Sequence, residues 1–234
     1  MPAYDRVHYP ITEHRLTPSL AERLKSETRA LHTAAERSTF MGVLLRGRME
    51  RTAYAALLRN LHAIYVVLEP ALERHAQHPV IAAIYLPALW RTPALAHDLH
   101  LLHGAGWADA LPLQPAARDY RDRVLELDAS CPAPLLAHAY VRYLGDLSGG
   151  QMLRGIVAKT LSPEQATATA FYEFGDAART HALTQAFRAG LAGIAVDAGE
   201  QDALVQEAQL AFQLHHRLFD ELAEACSLAD RAIQ

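Results

Sequence analysis

The chain has 234 residues, 51% apolar and 21% charged, with a net charge of −4. That supports a sizeable core, and with neither a basic block nor an acidic tail no nucleic-acid partner is expected. No run of about 18 apolar residues suits a membrane span, the N-terminus lacks a signal core, and Cys131 and Cys226 read as reduced thiols, so a soluble cytoplasmic protein with no membrane anchor is expected.

Helical periodicity dominates the chain. Residues 1–16 read as an irregular tail, and 17–230 as one all-α domain. Thr17-Pro18 supplies an N-cap followed by proline in the first turn, and one helix is predicted from there to about Ser38. A short turn of helix follows near 40–46. A long helix runs from about 52 to 76, with Pro70 expected to bend it. Five prolines break 79–115 into short helices and turns. Further helices are predicted over 115–130, 134–161, 163–173, 177–195 and 200–230. No strand alternation and no internal repeat is evident.

The helix predicted over 134–161 contains Gly145, Gly149 and Gly150. A glycine inside a helix costs roughly 1 kcal/mol relative to alanine, so three need a local reason. Either another helix packs closely there, or a flat, bulky ligand lies against a helix that the glycines bend and lay bare. Among thirteen histidines, His97, His100 and His103 read as surface residues and His75 and His78 as loop residues. His32 stands apart. At ~100° per residue Lys25 lies about 20° from it, two turns earlier, and Glu36 lies one turn later on the same side. The stripe is either a solvated face or a site. In the second case a neutral imidazole is a good iron ligand for heme. Lys25 would then pair with a carboxylate of the ligand, and Glu36 would fix the ring's tautomer. Phosphate loops, HExxH, CxxC and paired ExxH motifs are absent.

The run LKSETRALHTAAERSTFMGVLLRGRMERTAYAALLRNLHAIYVVLEPALERH resembles the proximal-helix region of the biliverdin-producing heme oxygenases of the soluble bacterial type. AHAYVRYLGDLSGGQMLRGIVAKTL is similar to their distal helix. FYEFGDAARTHALTQAFRAGLAGI and AFQLHHRLFDEL match more weakly, and together the matches span roughly 20–225. The resemblance implies a helical bundle that sandwiches heme between a proximal helix and a glycine-kinked distal helix. It implies His32 as axial iron ligand and Glu36 as that ligand's carboxylate partner. Gly145 and Gly149 would border the heme, with Gly150 completing the kink. Asp146 would anchor a distal water network that includes Tyr65 and Arg142. Lys25, Tyr140 and Arg188 would contact the heme propionates. Arg142, Gly145, Asp146 and Gly149 share one face of a regular helix, whereas Tyr140 lies well off it and its role rests on the resemblance alone. Thr184 stands where a propionate-holding lysine occurs in mammalian members. His215 replaces an asparagine of the distal network and is expected to titrate near neutral pH.

The implied reaction is cleavage of heme, at once substrate and cofactor, by O2 and reducing equivalents to biliverdin, Fe2+ and CO. With no flavin or nucleotide motif in the chain, electrons would come from an external ferredoxin or flavoprotein reductase. The competing classes are a non-catalytic heme carrier or sensor, which could dispense with Asp146, and a helical adaptor that binds no heme.

Overall fold

The computed structural model describes residues 18–162 and 165–228. The tail expected over 1–16 and the Thr17 cap lie outside them. Among the described residues every regular element is helical, and no helix is long and apolar enough to cross a membrane.

The first predicted helix is two, α1 (Leu20–Glu27) and α2 (Arg29–Glu36), with Ser19 closing a capping box on Glu22. The break falls at buried Thr28, whose Oγ1 donates to the Leu24 carbonyl at 2.6 Å. A side chain that bonds the preceding turn competes with the helix's own ladder. Helix α3 (Thr39–Leu45) starts on a Ser38 cap. Helix α4 (Arg51–Arg74) continues through Pro70. Proline strips the hydrogen bond from the carbonyl four residues back, here that of Val66, which is exposed and open to water.

The proline-broken stretch forms α5 (Pro79–Ala82), a 3-10 turn at Pro87–Leu89, a full three-turn helix α6 (Thr92–His103) and α7 (Trp107–Ala110). Then come α8 (Pro115–Ser130), α9 (Leu135–Thr160), α10 (Ala177–Ala192) and α11 (Ala198–Ala225). Of the helix predicted over 163–173, the described part, 165–173, is not α-helical; a single 3-10 turn, Ala170–Tyr172, stands there. The reason is local. Side chains from the α6 region take the backbone amides of Ala170 and Phe171 and the carbonyls of Phe171 and Glu173. Cys131 and Cys226 are free thiols, as read from the sequence.

Helix α4 packs on α6 and α8, while α11 lies across α8, α9, α2 and α3. Stacked Phe40 and Phe219, 5.5 Å apart, join α3 to α11. A Cβ at Gly190 would overlap the Ala83 carbonyl oxygen, so glycine alone lets α10 approach the end of α5. One buried ionic knot ties α8, α9 and α11. Glu207 receives Arg123 Nη2 at 2.6 Å and His138 Nε2 at 2.9 Å.

Burial works to raise the Glu207 pKa, but His138 and Arg123 outweigh it and bring the carboxyl down to about 2. A folded pKa below the unfolded value adds stability that is present above pH ~4.5 and lost as pH falls through about 2. Glu207→Gln is expected to lower unfolding stability at pH 7 by about 2 kcal/mol, allowing for solvent around Arg123. The deficit should shrink between pH 4.5 and 2. Urea melts across that range check it, and a deficit that does not change with pH would deny the knot this role.

Candidate active site

A cleft of about 490 Å³ opens between α2, α3, α9 and α11, within the 300–1,000 Å³ usual for ligand sites. Its floor is apolar: Met41 and Leu44 from α3, Leu57 and Leu61 from α4, and Phe212 and Phe219 from α11.

His32 and Glu36 line one side. His32 Nδ1 stands 3.5 Å from Glu36 Oε2, and the ring meets the Phe212 ring edge-on at 5.9 Å. The pairing at Nδ1 leaves Nε2 as the nitrogen for a ligand. The imidazole is half exposed, as a residue at the mouth of an open cleft must be.

Gly145 and Gly149 line the opposite side, on α9. The helix stays α-helical through all three glycines. A Cβ at Gly145 would meet nothing within 4 Å, and one at Gly149 only Leu153 Cδ1 at 3.8 Å. No neighbouring helix fills that space, so helix packing does not explain these two glycines. Gly150 is different. It is buried and does not line the cleft; its missing Cβ faces the Tyr172 carbonyl oxygen at 3.5 Å.

Beside the bare face lies a buried polar cluster. Arg142 Nη2 donates to Asp146 Oδ1 at 3.0 Å, and Tyr65 Oη donates to Asp146 Oδ2. Arg142 Nε donates to Tyr65 Oη at 3.2 Å, and Nη1 reaches the His215 ring at 3.2 Å. Burial pushes the Asp146 carboxyl up, against the pull of Arg142 and the Tyr65 hydrogen bond. Burial also works against the Arg142 charge, but Tyr65 and Asp146 raise its pKa overall. Burial, then Arg142, hold His215 well below the ordinary histidine range. The sequence-based expectation of titration near neutral pH therefore fails: His215 is neutral and accepts from Arg142.

Lys25, Tyr140 and Arg188 do not line the cleft. Lys25 is exposed on α1, Arg188 is exposed on α10, and those helices pack together. Tyr140 turns its hydroxyl to Thr28 and lies in the field of Arg188. Thr184 Oγ1 donates to the Thr180 carbonyl of its own helix at 2.8 Å. Sequence reasoning missed Phe171 and Tyr172, which line the cleft, because periodicity read their segment as helix and gave no sign of the turn that aims them. It also missed Phe212 and Phe219, whose spacing on α11 with His215 reads equally as core.

The chemistry of this set fits heme. A flat, apolar slot has one histidine with a free nitrogen on one side. On the other, a face without side chains has a carboxylate beside it. Residues 18–221 match the family model described as Heme oxygenase. Heme oxygenase 1 of Nostoc sp. is 37% identical over 207 residues, covering 88% of this chain and 87% of that protein. Heme oxygenase 1 of Homo sapiens is likewise 37% identical, over 88% of this chain and 72% of its own length. The structure of heme oxygenase-2 from Synechocystis sp. in complex with heme and NO aligns with a TM-score of 0.84 at 34% identity, covering 93% of each chain.

The glycines predict opposite responses to one methyl group. Gly145→Ala should stabilise the ligand-free protein by about 0.5–1 kcal/mol, since helix propensity improves and the Cβ meets nothing. Gly190→Ala should cost about 2 kcal/mol through overpacking. Thermal unfolding of both variants checks this; a destabilised Gly145→Ala would mean that its face is not open.

Proposed function

The chain belongs to the heme oxygenase family, and on that premise we propose how its residues serve the reaction. The protein cleaves heme with O2 and reducing equivalents, giving biliverdin, Fe2+ and CO. Bound heme supplies both the iron that activates O2 and the ring that is cut. The observation that carries the residue assignments is the side-chain-free face of Gly145 and Gly149 across the cleft from His32, with Asp146 buried beside it.

His32 would hold the heme iron through Nε2, while Glu36, beside Nδ1, fixes the tautomer. Gly145 and Gly149 keep the opposite face clear, so that a diatomic ligand is confined by backbone and not displaced by a side chain. Asp146 holds a water and passes protons to that face, as general acid catalysis through a relay. Arg142 and Tyr65 orient Asp146, and His215 anchors Arg142. Gly150 faces Tyr172 on the buried side of α9. Lys25, Tyr140 and Arg188, gathered along the α1–α10 edge, hold the propionates. Thr184, bonded to its own helix, adds no cation there, so Lys25 and Arg188 carry that charge.

Residues 17–230 form the working domain. Electrons come from a separate ferredoxin or flavoprotein reductase, in keeping with a sequence that carries no nucleotide or flavin motif. A cytoplasmic setting suits the two free thiols.

Two variants test these assignments. His32→Ala should fold normally yet lose the ferric heme spectrum of the wild type, and added imidazole should partly restore it. An unaltered spectrum would remove His32 as the ligand. Asp146→Asn should bind hemin within about threefold of wild type while biliverdin formation falls by about 100-fold, the scale of general acid catalysis. Single-turnover absorbance with a chemical reductant measures both, and wild-type biliverdin yield would refute the relay. Failure of the wild-type protein itself to form biliverdin from bound heme would instead favour a site that merely carries heme.

A further inference from the structure

The inner wall of the cleft is made by the segment that sequence periodicity misread. Phe171 and Tyr172 face the cleft from a single 3-10 turn. An irregular stretch inside a protein must still satisfy its backbone polar groups. Here two oppositely charged side chains from the α6 region do so. Asp98 Oδ1 accepts from Ala170 N at 3.0 Å, and Oδ2 accepts from Phe171 N at 2.8 Å. Arg91 Nη1 donates to the Phe171 carbonyl at 3.3 Å and to the Glu173 carbonyl at 2.7 Å. Its guanidinium also lies 3.9 Å over the Phe174 ring. Phe171 is therefore held at both its amide and its carbonyl by side chains, one anionic and one cationic.

The grip is itself braced. Glu69 of α4 accepts from the backbone amides of Arg91 and Thr92. Asp98 is fully buried and Arg91 nearly so. Burying two charges to shape one turn is costly, and the Asp98 carboxyl is pushed up to about 6 by burial despite its two amide partners. An ordinary turn would use serine, asparagine or water. What the grip secures is placement. The Phe171 ring meets the Tyr65 ring at 6.1 Å, and the Tyr172 carbonyl sits 3.5 Å from the missing Cβ of Gly150. The wall thus adjoins the Asp146 cluster through Tyr65 and packs on the buried side of α9 at Gly150.

We propose that Asp98 and Arg91 are positioning residues for heme cleavage: they clamp the 170–173 backbone and set how far Phe171 and Tyr172 reach into the cleft. The proposal rests on the reading of this cleft as the heme site. A displacement of about 1 Å at a reacting centre can cost as much as 100-fold in rate, so the clamp acts on turnover more than on binding.

Asp98→Asn tests it. The carboxamide matches the carboxylate in size but has one acceptor oxygen, and its NH2 must face the other amide. In heme-free protein, hydrogen exchange at Ala170 and Phe171 should quicken at least tenfold, while exchange in the core of α4 stays unchanged. Hemin affinity should change less than threefold, turnover per bound heme should fall about tenfold, and Asp98→Glu, which keeps both acceptors, should recover part of it. If Asp98→Asn does not fold, Arg91→Lys, which keeps the charge but cannot span both carbonyls, is read the same way at Glu173 and in turnover. Wild-type exchange rates at these amides, or wild-type turnover per bound heme, would overturn the clamp. Failure of the wild-type protein to bind hemin would instead overturn the reading of the cleft and, with it, any role of the clamp in heme cleavage.

Discussion

A guanidinium and a carboxylate buried one helical turn apart, Arg142 and Asp146 on α9, constrain the rest of this molecule. Removing both charges from water costs several kcal/mol each, and that is offset only where their remaining donors and acceptors are also met. Tyr65 on α4 and His215 on α11 meet them. Satisfying the cluster fixes three helices against one another. It also sets the rotation of α9, because Gly145 and Gly149 lie on the same face as Arg142 and Asp146. The orientation that buries the charges is the one that turns the bare backbone toward α2.

Glycine then serves two separate ends in one chain. At 145 it leaves space that no described residue fills, and at 149 space that only Leu153 borders. At 190 it permits close approach to the Ala83 carbonyl, whereas a Cβ at 150 would make ordinary contact with Tyr172. The bare face costs helix propensity of roughly 1 kcal/mol per residue, a loss that packing elsewhere on α9 must offset. His215 shows how burial changes a residue's chemistry. The ring that would be a pH sensor in water is a fixed neutral acceptor beside Arg142.

Much of this was legible in the sequence. Of the stripe Lys25, His32 and Glu36, the last two line the cleft, as does the shared face of Arg142, Gly145, Asp146 and Gly149, whereas Lys25 falls on the far side of the break at Thr28 and does not. The interruption at Thr28 was not legible, because a threonine bonded to the preceding turn looks like any helical threonine. The turn at 170–172 was hidden for a different reason. Its conformation is set by Asp98 and Arg91, more than seventy residues away, and no local pattern encodes a partner at that distance. That Gly150 faces Tyr172 and not the cleft was not legible, because adjacent glycines look equivalent until the neighbours of each are known.

The central claim is that heme lies between His32 and the bare face of α9, with the Asp146 cluster on the side where O2 binds. A crystal structure of the ferric heme complex tests it most directly. The account predicts iron bonded to His32 Nε2, the heme plane bordered by the backbone of Gly145 and Gly149, and an ordered water between Asp146 and the open iron position. Iron bonded to any other residue, or heme seated outside this cleft, would contradict it.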